Sequence, residues 1–195
     1  MISAEDFYKS EFKIQDNKLI SKLLSITKVE ICKKGKIIVR ENEIQTNISF
    51  LIEGVARGYY TGLNGQEITD CLQFRCGQSL MAALSLVQPS CMTMELLTES
   101  TILQFPMSEL GELMHYPEVI EAYNRLLQES MVNHWVTKNI LCQYTAMERY
   151  EWFLKEYPGL VDKINNKYIA SFLGMTPVTL SRLRRKRGET PKGAK

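Results

Sequence analysis

Residues 165–187 read NNKYIASFLGMTPVTLSRLRRKR. Ile169, Ala170 and Leu173 recur at helical spacing, Gly174 can end that helix with a positive φ, and Thr176-Pro177 supplies an N-cap followed by proline at the first helical position. The spacing predicts two short helices joined by a three-residue turn. The second helix turns Leu180 and Leu183 inward against Ile169 and Leu173, since residues three apart share a face. Val178, Ser181, Arg182 and Arg185 then lie on the other face. A stripe of one small apolar residue, one hydroxyl and two guanidinium groups suits a helix in the major groove of DNA, where arginine bonds guanine O6 and N7 and a methyl group meets thymine. Thr179, Arg184, Lys186 and Arg187 flank it at positions suited to phosphates, and the capping Thr176 completes the candidate set. A plainer reading is a helical hairpin whose basic end is solvated and favoured by the helix dipole. That reading covers Arg184 to Arg187 but leaves the joint spacing of glycine, Thr-Pro and inward leucines unexplained.

Ile169-Ala170, Leu173-Gly174, Thr176 and Thr179-Leu180-Ser181-Arg182 resemble the pattern IA-x-x-LG-x-T-x-x-T-L-S-R of bacterial helix-turn-helix regulators. More narrowly, the stretch is similar to the Crp/Fnr family in a form that ends soon after the recognition helix. In that family an arginine at the position of Arg182 reads guanine, so the resemblance implies that role for Arg182. Where the family has an Arg and a Glu just earlier, this chain has Pro177 and Val178, and its preferred DNA sequence is expected to differ. The small wing of strands that often stands beside this motif is not expected in full here.

Charge distribution agrees with a cationic interface. The chain of 195 residues has a formal net charge of +2, but residues 182–195 hold seven Lys/Arg and one Glu, so the other 181 residues sum to −4. A positive patch on an acidic body is the electrostatic footprint of a nucleic-acid binder. The first residues, MISAEDFYKSEFKIQDN, contain no apolar run long enough for a signal peptide or membrane span, so a cytoplasmic protein with no membrane partner is expected. The five cysteines, 32, 71, 76, 91 and 142, are an odd number without CxxC pairing, which indicates neither a disulfide framework nor a zinc site. With two histidines, His115 and His134, no metal-ligand spacing occurs. Cys32 stands alone where an Fnr-like iron–sulfur site would need clustered cysteines, and a haem has no better support, so no cofactor is expected.

Upstream, residues 4–24 read as one or two short helices with Phe7, Phe12, Ile14, Leu19, Ile20, Leu23 and Leu24 as an apolar set that caps the adjoining strands. From Thr27 the period becomes two, with glycines at 35, 54, 62 and 65 between short runs. Evenly spaced strands of this kind point to a sandwich or jelly-roll barrel. Lys34-Gly35-Lys36-Ile37, residues 50–55 (FLIEGV), residues 64–68 (NGQEI) and residues 74–80 (FRCGQSL) resemble the effector domain of Crp/Fnr regulators. Asn42 replaces a usual glycine, a mild change because asparagine tolerates the left-handed conformation.

In that resemblance the segment opened by Gly77 is the phosphate-binding cassette, with residues 79–86 as a short helix, residues 88–90 as a turn and residues 92–97 as the next strand. The candidate effector pocket is Gly77, Gln78, Ser79, Leu80, Ser90 and Cys91. A cyclic-nucleotide binder carries Glu where this chain has Gln78, and Arg-Ser where it has Ser90-Cys91. Without the guanidinium the strongest phosphate contact is lost. Cyclic AMP is therefore not the expected effector, and a different small molecule or a vestigial pocket both stay open. A redox role for Cys76 or Cys91 would need a neighbouring cation to lower the thiol pKa, and none is evident.

After strand residues 101–105 and a small helix over 107–115, Pro117 begins a helix to about Tyr144 without internal proline or glycine. Ile120, Tyr123, Leu127, Ser130, His134, Thr137 and Leu141 fall at a/d-like spacing, and Val119, Leu126, Trp135 and Ile140 widen the apolar coverage. Such breadth asks for more than one partner; in the resembling architecture these are the barrel and the same helix of a second copy, and the plainer alternative is a single core helix. Thr145 to Glu148 is a capping box that starts a new helix over 146–157, exposing Arg149 and Lys155 and burying Trp152 and Phe153. Pro158-Gly159 ends it before a short segment over 160–164.

The expected fold class is α+β: an effector barrel of double-stranded β-helix or jelly-roll type over 1–116, a dimerisation helix over 117–144, and an all-α helix-turn-helix domain with a basic tail over 145–195. The expected function is a dimeric DNA-binding transcription regulator rather than an enzyme. Its expected partners are double-stranded DNA and a second copy, with an unidentified small effector and RNA polymerase as candidates. The alternative is an effector-binding signalling module whose helical tail docks a protein. An enzyme on a cupin-like barrel would need a metal or nucleophile constellation that these residues do not supply.

Overall fold

The computed structural model describes residues 2–81 and 88–188. The chain separates into two compact units, one of residues 1–60 and 71–130, the other of 61–70 and 131–195.

The first unit begins with α1 (Ala4–Ser10) and α2 (Asn17–Ile26), capped by the side chains of Ser3 and Asp16. Among the described residues seven strands come next, with residues 61–70 at the β4–β5 end counted in the second unit: β1 (Lys28–Cys32), β2 (Ile37–Val39), β3 (Asn47–Glu53), β4 (Ala56–Thr61), β5 (Glu67–Gln73), β6 (Thr93–Leu96) and β7 (Ser100–Pro106). They form two sheets, β1-β7-β3 and β2-β6-β4-β5, with antiparallel pairing along β1/β7, β3/β7, β2/β6 and β4/β6. The expected two-sheet barrel and its helical cap are both present.

One expectation fails in an instructive way. Strict alternation of buried and exposed positions does not hold along β3, where Ile48, Ser49, Phe50, Leu51 and Ile52 are all buried. The sheet is covered on both faces. Ile48, Phe50 and Ile52 join Phe7, Tyr8, Phe12, Leu19, Leu103 and Phe105 in a core beneath α1 and α2, whereas Leu51 joins Val39, Ala56, Leu80, Met94, Leu96 and Ile102 inside the barrel. Phe12 stacks edge-on to Phe50 at 4.7 Å. Of the predicted cap residues, Leu24 alone stays exposed.

A 3₁₀ turn (Met107–Glu109) and α3 (Leu110–Leu113) precede α4 (Pro117–Gln143), the long helix expected from Pro117. Its first turns belong to the first unit: Ala122 is buried in the helical-cap core, Val119 and Leu126 pack on it, and Arg125 donates to Glu11 O at 2.9 Å. Among the described residues no helix is long and apolar enough to cross a membrane.

In the second unit α5 (Ala146–Glu156) starts at Thr145 with both halves of the predicted capping box. The backbone N–H and hydroxyl of Thr145 hold the Glu148 carboxyl below the usual carboxylate range. Then come α6 (Leu160–Lys163), α7 (Asn166–Phe172) and α8 (Pro177–Lys186). Phe153, Tyr157 and Phe172 form the aromatic centre, with Phe153 and Tyr157 stacked at 5.1 Å. Trp152 is half-buried rather than buried and stacks on Phe172, while Tyr150 takes a fully buried place the sequence did not mark.

Two glycines with positive φ make opposite predictions. At Gly54, φ is +121° and an added Cβ would lie 2.9 Å from the Ser100 Cα; at Gly35, φ is +84° and nothing lies within 4 Å. Gly35→Ala should cost about 1–2 kcal/mol for the backbone alone, and Gly54→Ala clearly more, roughly 3 kcal/mol, because backbone must shift as well. Urea unfolding midpoints at unchanged slope measure both, and equal losses would contradict the close β3–β7 approach at Gly54.

Candidate functional site

The turn between α7 and α8 is built as the residues foretold, and more tightly. Leu173 closes α7, Gly174 takes φ +61°, and the N–H groups of Gly174 and Met175 reach back to Ser171 O at 3.1 Å and Ala170 O at 2.9 Å. This paired pattern is the Schellman C-cap. Thr176 then accepts from Thr179 N at 3.1 Å with Pro177 at the first helical position. Arg149 was expected in solvent. It instead donates to Leu173 O at 2.8 Å and Gly174 O at 3.3 Å. A guanidinium at a helix C-terminus satisfies orphan carbonyls and opposes the negative end of the dipole.

On α8 Leu180 is fully buried, as expected, and Ile169 and Leu173 are buried opposite it. Leu183 is only half-buried, and the inward place is shared by Arg184, 6% exposed, whose Nη1 donates to Asn166 Oδ1 at 2.9 Å. Arg184 is therefore withdrawn from the candidate phosphate contacts. The i,i+4 relation to Leu180 was the available signal, outweighed in the sequence by the run of cations around it. Of the other candidates, Thr176, Val178, Arg182, Arg185 and Lys186 are exposed, with Val178 at 60%, and Thr179 and Ser181 are half-buried. Arg187, also exposed, is paired with Glu151 at 3.2 Å.

The candidate effector pocket fares differently. Ser79 and Leu80 do not begin a helix; Ser79 bridges Phe50 antiparallel, Leu80 N donates to Ser49 O at 2.8 Å, and Leu80 fills the barrel core. The rest of the predicted helix, residues 82–86, lies outside the described residues. Gly77 has φ +83°, with Glu11 against its α-carbon, and its N–H donates to Leu51 O at 2.9 Å. Gln78 turns back on its own loop, where Oε1 accepts from Phe74 N at 2.7 Å and Arg75 N at 2.8 Å. Ser90 is buried and tied to the β2–β3 loop, donating from N to Glu43 O and accepting at O from Asn42 N, both at 2.8 Å, while Asn42 holds the expected left-handed φ of +66°. Cys91 is exposed.

Burial, reinforced by the Glu11 carboxylate, pushes the Cys76 thiol up, the opposite of what a reactive thiolate needs. The buried cation of the barrel is Arg57, which sequence reasoning missed. It sits directly across from Glu95 in the β4/β6 ladder, bonded to it at 2.8 Å and 2.6 Å, and is thereby held by a carboxylate. A cleft of about 170 Å³ is lined by Lys36, Glu43, Gln45, Thr46, Ser49 and Gln104 among others, and by none of the six cassette candidates.

Residues 29–116 match the family model of the cyclic nucleotide-binding domain. The fold is that of FixK2 from Bradyrhizobium japonicum, at 17% identity and TM-score 0.72 over 87% of this chain and 90% of that one. CLP of Xanthomonas campestris is similar at 12% identity and TM-score 0.72, covering 89% and 92%. A Eubacterium rectale protein classed with Crp/Fnr transcriptional regulators is similar at 18% identity and TM-score 0.69, covering 93% and 87%. No curated protein sequence matches significantly.

The two arginines of α8 that bracket Leu183 separate interior from surface. Arg184→Ala should lower the stability of the second unit by roughly 1–3 kcal/mol, removing a buried side chain and its bond to Asn166, whereas Arg182→Ala should stay within about 0.5 kcal/mol. Thermal unfolding of both variants checks this, and an Arg184→Ala chain as stable as the parent would return Arg184 to the surface.

Proposed function

We propose that this chain is a dimeric, sequence-specific DNA-binding transcription regulator of the Crp/Fnr type, with α8 as the recognition helix and the barrel as the seat of an effector other than cyclic AMP. The observation that carries the reading is the division of α8: Leu180 and Arg184 are spent on the interior, while Val178, Arg182, Arg185 and Lys186 stand on the outer side. Arg182 lies about one and a half turns into the helix, near the N-terminal part that enters a groove, and Arg185 is nearly a turn further toward the backbone. Val178 supplies an apolar contact for a thymine methyl. In support, CLP is described as a c-di-GMP-responsive global regulator linking cell-cell signalling to virulence gene expression, and the Eubacterium rectale protein as a transcriptional regulator.

The case against cyclic AMP rests on groups already engaged elsewhere. The two side chains that would replace the ribose and phosphate clamps, Gln78 and Ser90, are bonded within their own loops, and Arg57, held by Glu95, lies on the strand face opposite the barrel core. At the expected clamp positions, Ser90 and Cys91 offer a nucleotide phosphate no guanidinium.

Dimerisation is supported by α4. Leu127, Met131, Val132, Trp135 and Val136 are 41–69% exposed, with Ile120 at 39% one heptad before. The seam differs from the heptad set drawn from the sequence. Tyr123 and Thr137 are half-buried, and Leu127, Met131 and Trp135 recur every four residues, as a straight helix drifts from a strict 3.5 repeat. A contiguous apolar stripe of this size on a helix asks for a partner, and a twofold copy meets it with the same stripe. Leu127→Asp, at a half-open position, should leave the fold intact. Sedimentation should fall from twice the 22.5 kDa chain mass to one copy; a parent already monomeric at all concentrations would remove the basis for paired half-sites.

Fragments selected from random DNA provide the specific site for the main test. Arg182→Ala should lose roughly 1–3 kcal/mol on that site and relax preference at one base pair of each half, while Lys186→Ala should weaken all sequences alike and flatten the salt dependence by about one phosphate per copy. Equal loss on specific and random DNA with Arg182→Ala would make it a phosphate contact. A parent that selects no DNA would favour the protein-docking alternative.

A further inference from the structure

Gly58 lies in the middle of β4, opposite Met94 of β6 in the ladder. The strand order places β4 between β6 and β5. A Cβ built on Gly58 would meet Met92 Sδ at 2.5 Å, Cys71 Sγ at 2.7 Å and Met94 Sδ at 3.0 Å, and these are the three nearest atoms to that point. Three sulfurs thus converge on the place where any other residue would have its side chain. They come from both strands flanking the glycine: Cys71 from β5, Met94 from β6 and Met92 from the residue just before β6.

Strand alternation puts this cluster on the inner face. Ala56, Met94 and Leu96 are part of the barrel core, and Gly58 and Met92 share their parity. Met94 is 1% exposed, while Cys71 and Met92 are half-buried.

The donor set is chemically narrow. One thiol and two thioethers are soft, polarisable ligands that favour Cu(I) over the hard cations, which take oxygen. Zinc sites draw on four ligands, chiefly thiolate and imidazole, and thioethers are poor substitutes. Charge points the same way: a monovalent ion on a single thiolate is neutral, and neutrality is what a site lined by barrel-core side chains can hold without an uncompensated buried charge.

We propose that Cys71, Met92 and Met94 form a three-sulfur binding site for a soft monovalent metal ion, Cu(I). On binding, the Cys71 thiol gives its proton to solvent and its sulfur bonds the metal, while each methionine donates a thioether lone pair; no electron is transferred. Gly58 serves the site by leaving the space in which the sulfurs meet. The barrel thereby gains a ligand class, on sulfur geometry that is independent of DNA binding.

The test is a titration of the full, reduced chain with Cu(I) under anaerobic conditions against the chelator bicinchoninate. One Cu(I) per chain should bind, with thiolate-to-metal absorption growing in the near ultraviolet. Cys71→Ser should abolish that absorption and the stoichiometric binding. Met94→Leu, which conserves core volume, should weaken binding by roughly tenfold or more, on the scale by which metal sites respond to lost support. Thermal unfolding of both variants without metal confirms that each is folded. Cys91→Ser and Cys142→Ser, at exposed thiols, should bind as the parent does. No stoichiometric binding by the parent, binding that survives Cys71→Ser, or binding lost on Cys91→Ser would each overturn the site. A chain that binds Cu(I) but selects no DNA would sink the proposed function and leave the metal site standing.

Discussion

Burial of β3 on both faces is the constraint on which the first unit depends. A strand inside two cores at once must offer apolar side chains up and down, and Ile48, Phe50 and Ile52 on one side with Leu51 on the other do so. The backbone of β3 is shared as well: one edge pairs with β7, and Leu51 both accepts from Gly77 N and donates to Gln78 O. The cassette segment is thus hydrogen-bonded to the strand, and Leu80 is carried into the barrel as a consequence. A helix beginning at Ser79 would break the Ser79–Phe50 bridge and the Leu80–Ser49 hydrogen bond, leaving buried backbone groups of β3 unpaired at a cost of about 1–3 kcal/mol each. That cost is why Ser79 and Leu80 are held along β3 rather than forming the first turn of a helix.

In the second unit the corresponding constraint is electrostatic. Arg149 and Arg184 are cations taken inward, and each is placed where the helix framework presents oxygen, Arg149 at the C-terminal carbonyls of α7 and Arg184 at the amide of Asn166. Together they fix both ends of α7, and α7 in turn sets the angle at which α8 leaves the turn. The cations that remain on α8 are then exposed because the interior positions are already taken. A basic helix of this kind is less a uniform patch than a sorted one.

The sequence told much of this because its punctuation is chemical. Gly174, Thr176-Pro177, the Thr145 to Glu148 box and Pro117 each specify a backbone state, and all four are where the structure starts or stops a helix. A run of short strands was legible from turns and period, though not their number or bounds. What was not legible are relations between distant residues. Nothing near Arg149 in sequence announces Leu173 O, nothing near Gln78 announces that its amide would be spent on Phe74 and Arg75, and β3 cannot reveal from its own residues that α1 and α2 cover its outer face. For Arg184 the signal existed, but helical phase separates Leu183 from Arg184 by only about 100°, too fine to decide which faces in.

The same distinction bears on what the barrel can hold. An anionic ligand requires a cation to meet it, and Arg57, paired with Glu95 across the ladder, alternates with Ala56 and Gly58 and so lies on the strand face opposite the barrel core. The barrel core around Leu51, Ala56, Leu80, Met94, Leu96 and Ile102 is hydrocarbon and sulfur. The named residues of that core carry no charge to compensate a phosphate, whereas the sulfurs over Gly58 are one thiol and two neutral thioethers. A univalent soft cation is the ligand for which deprotonating that thiol removes a charge problem instead of creating one.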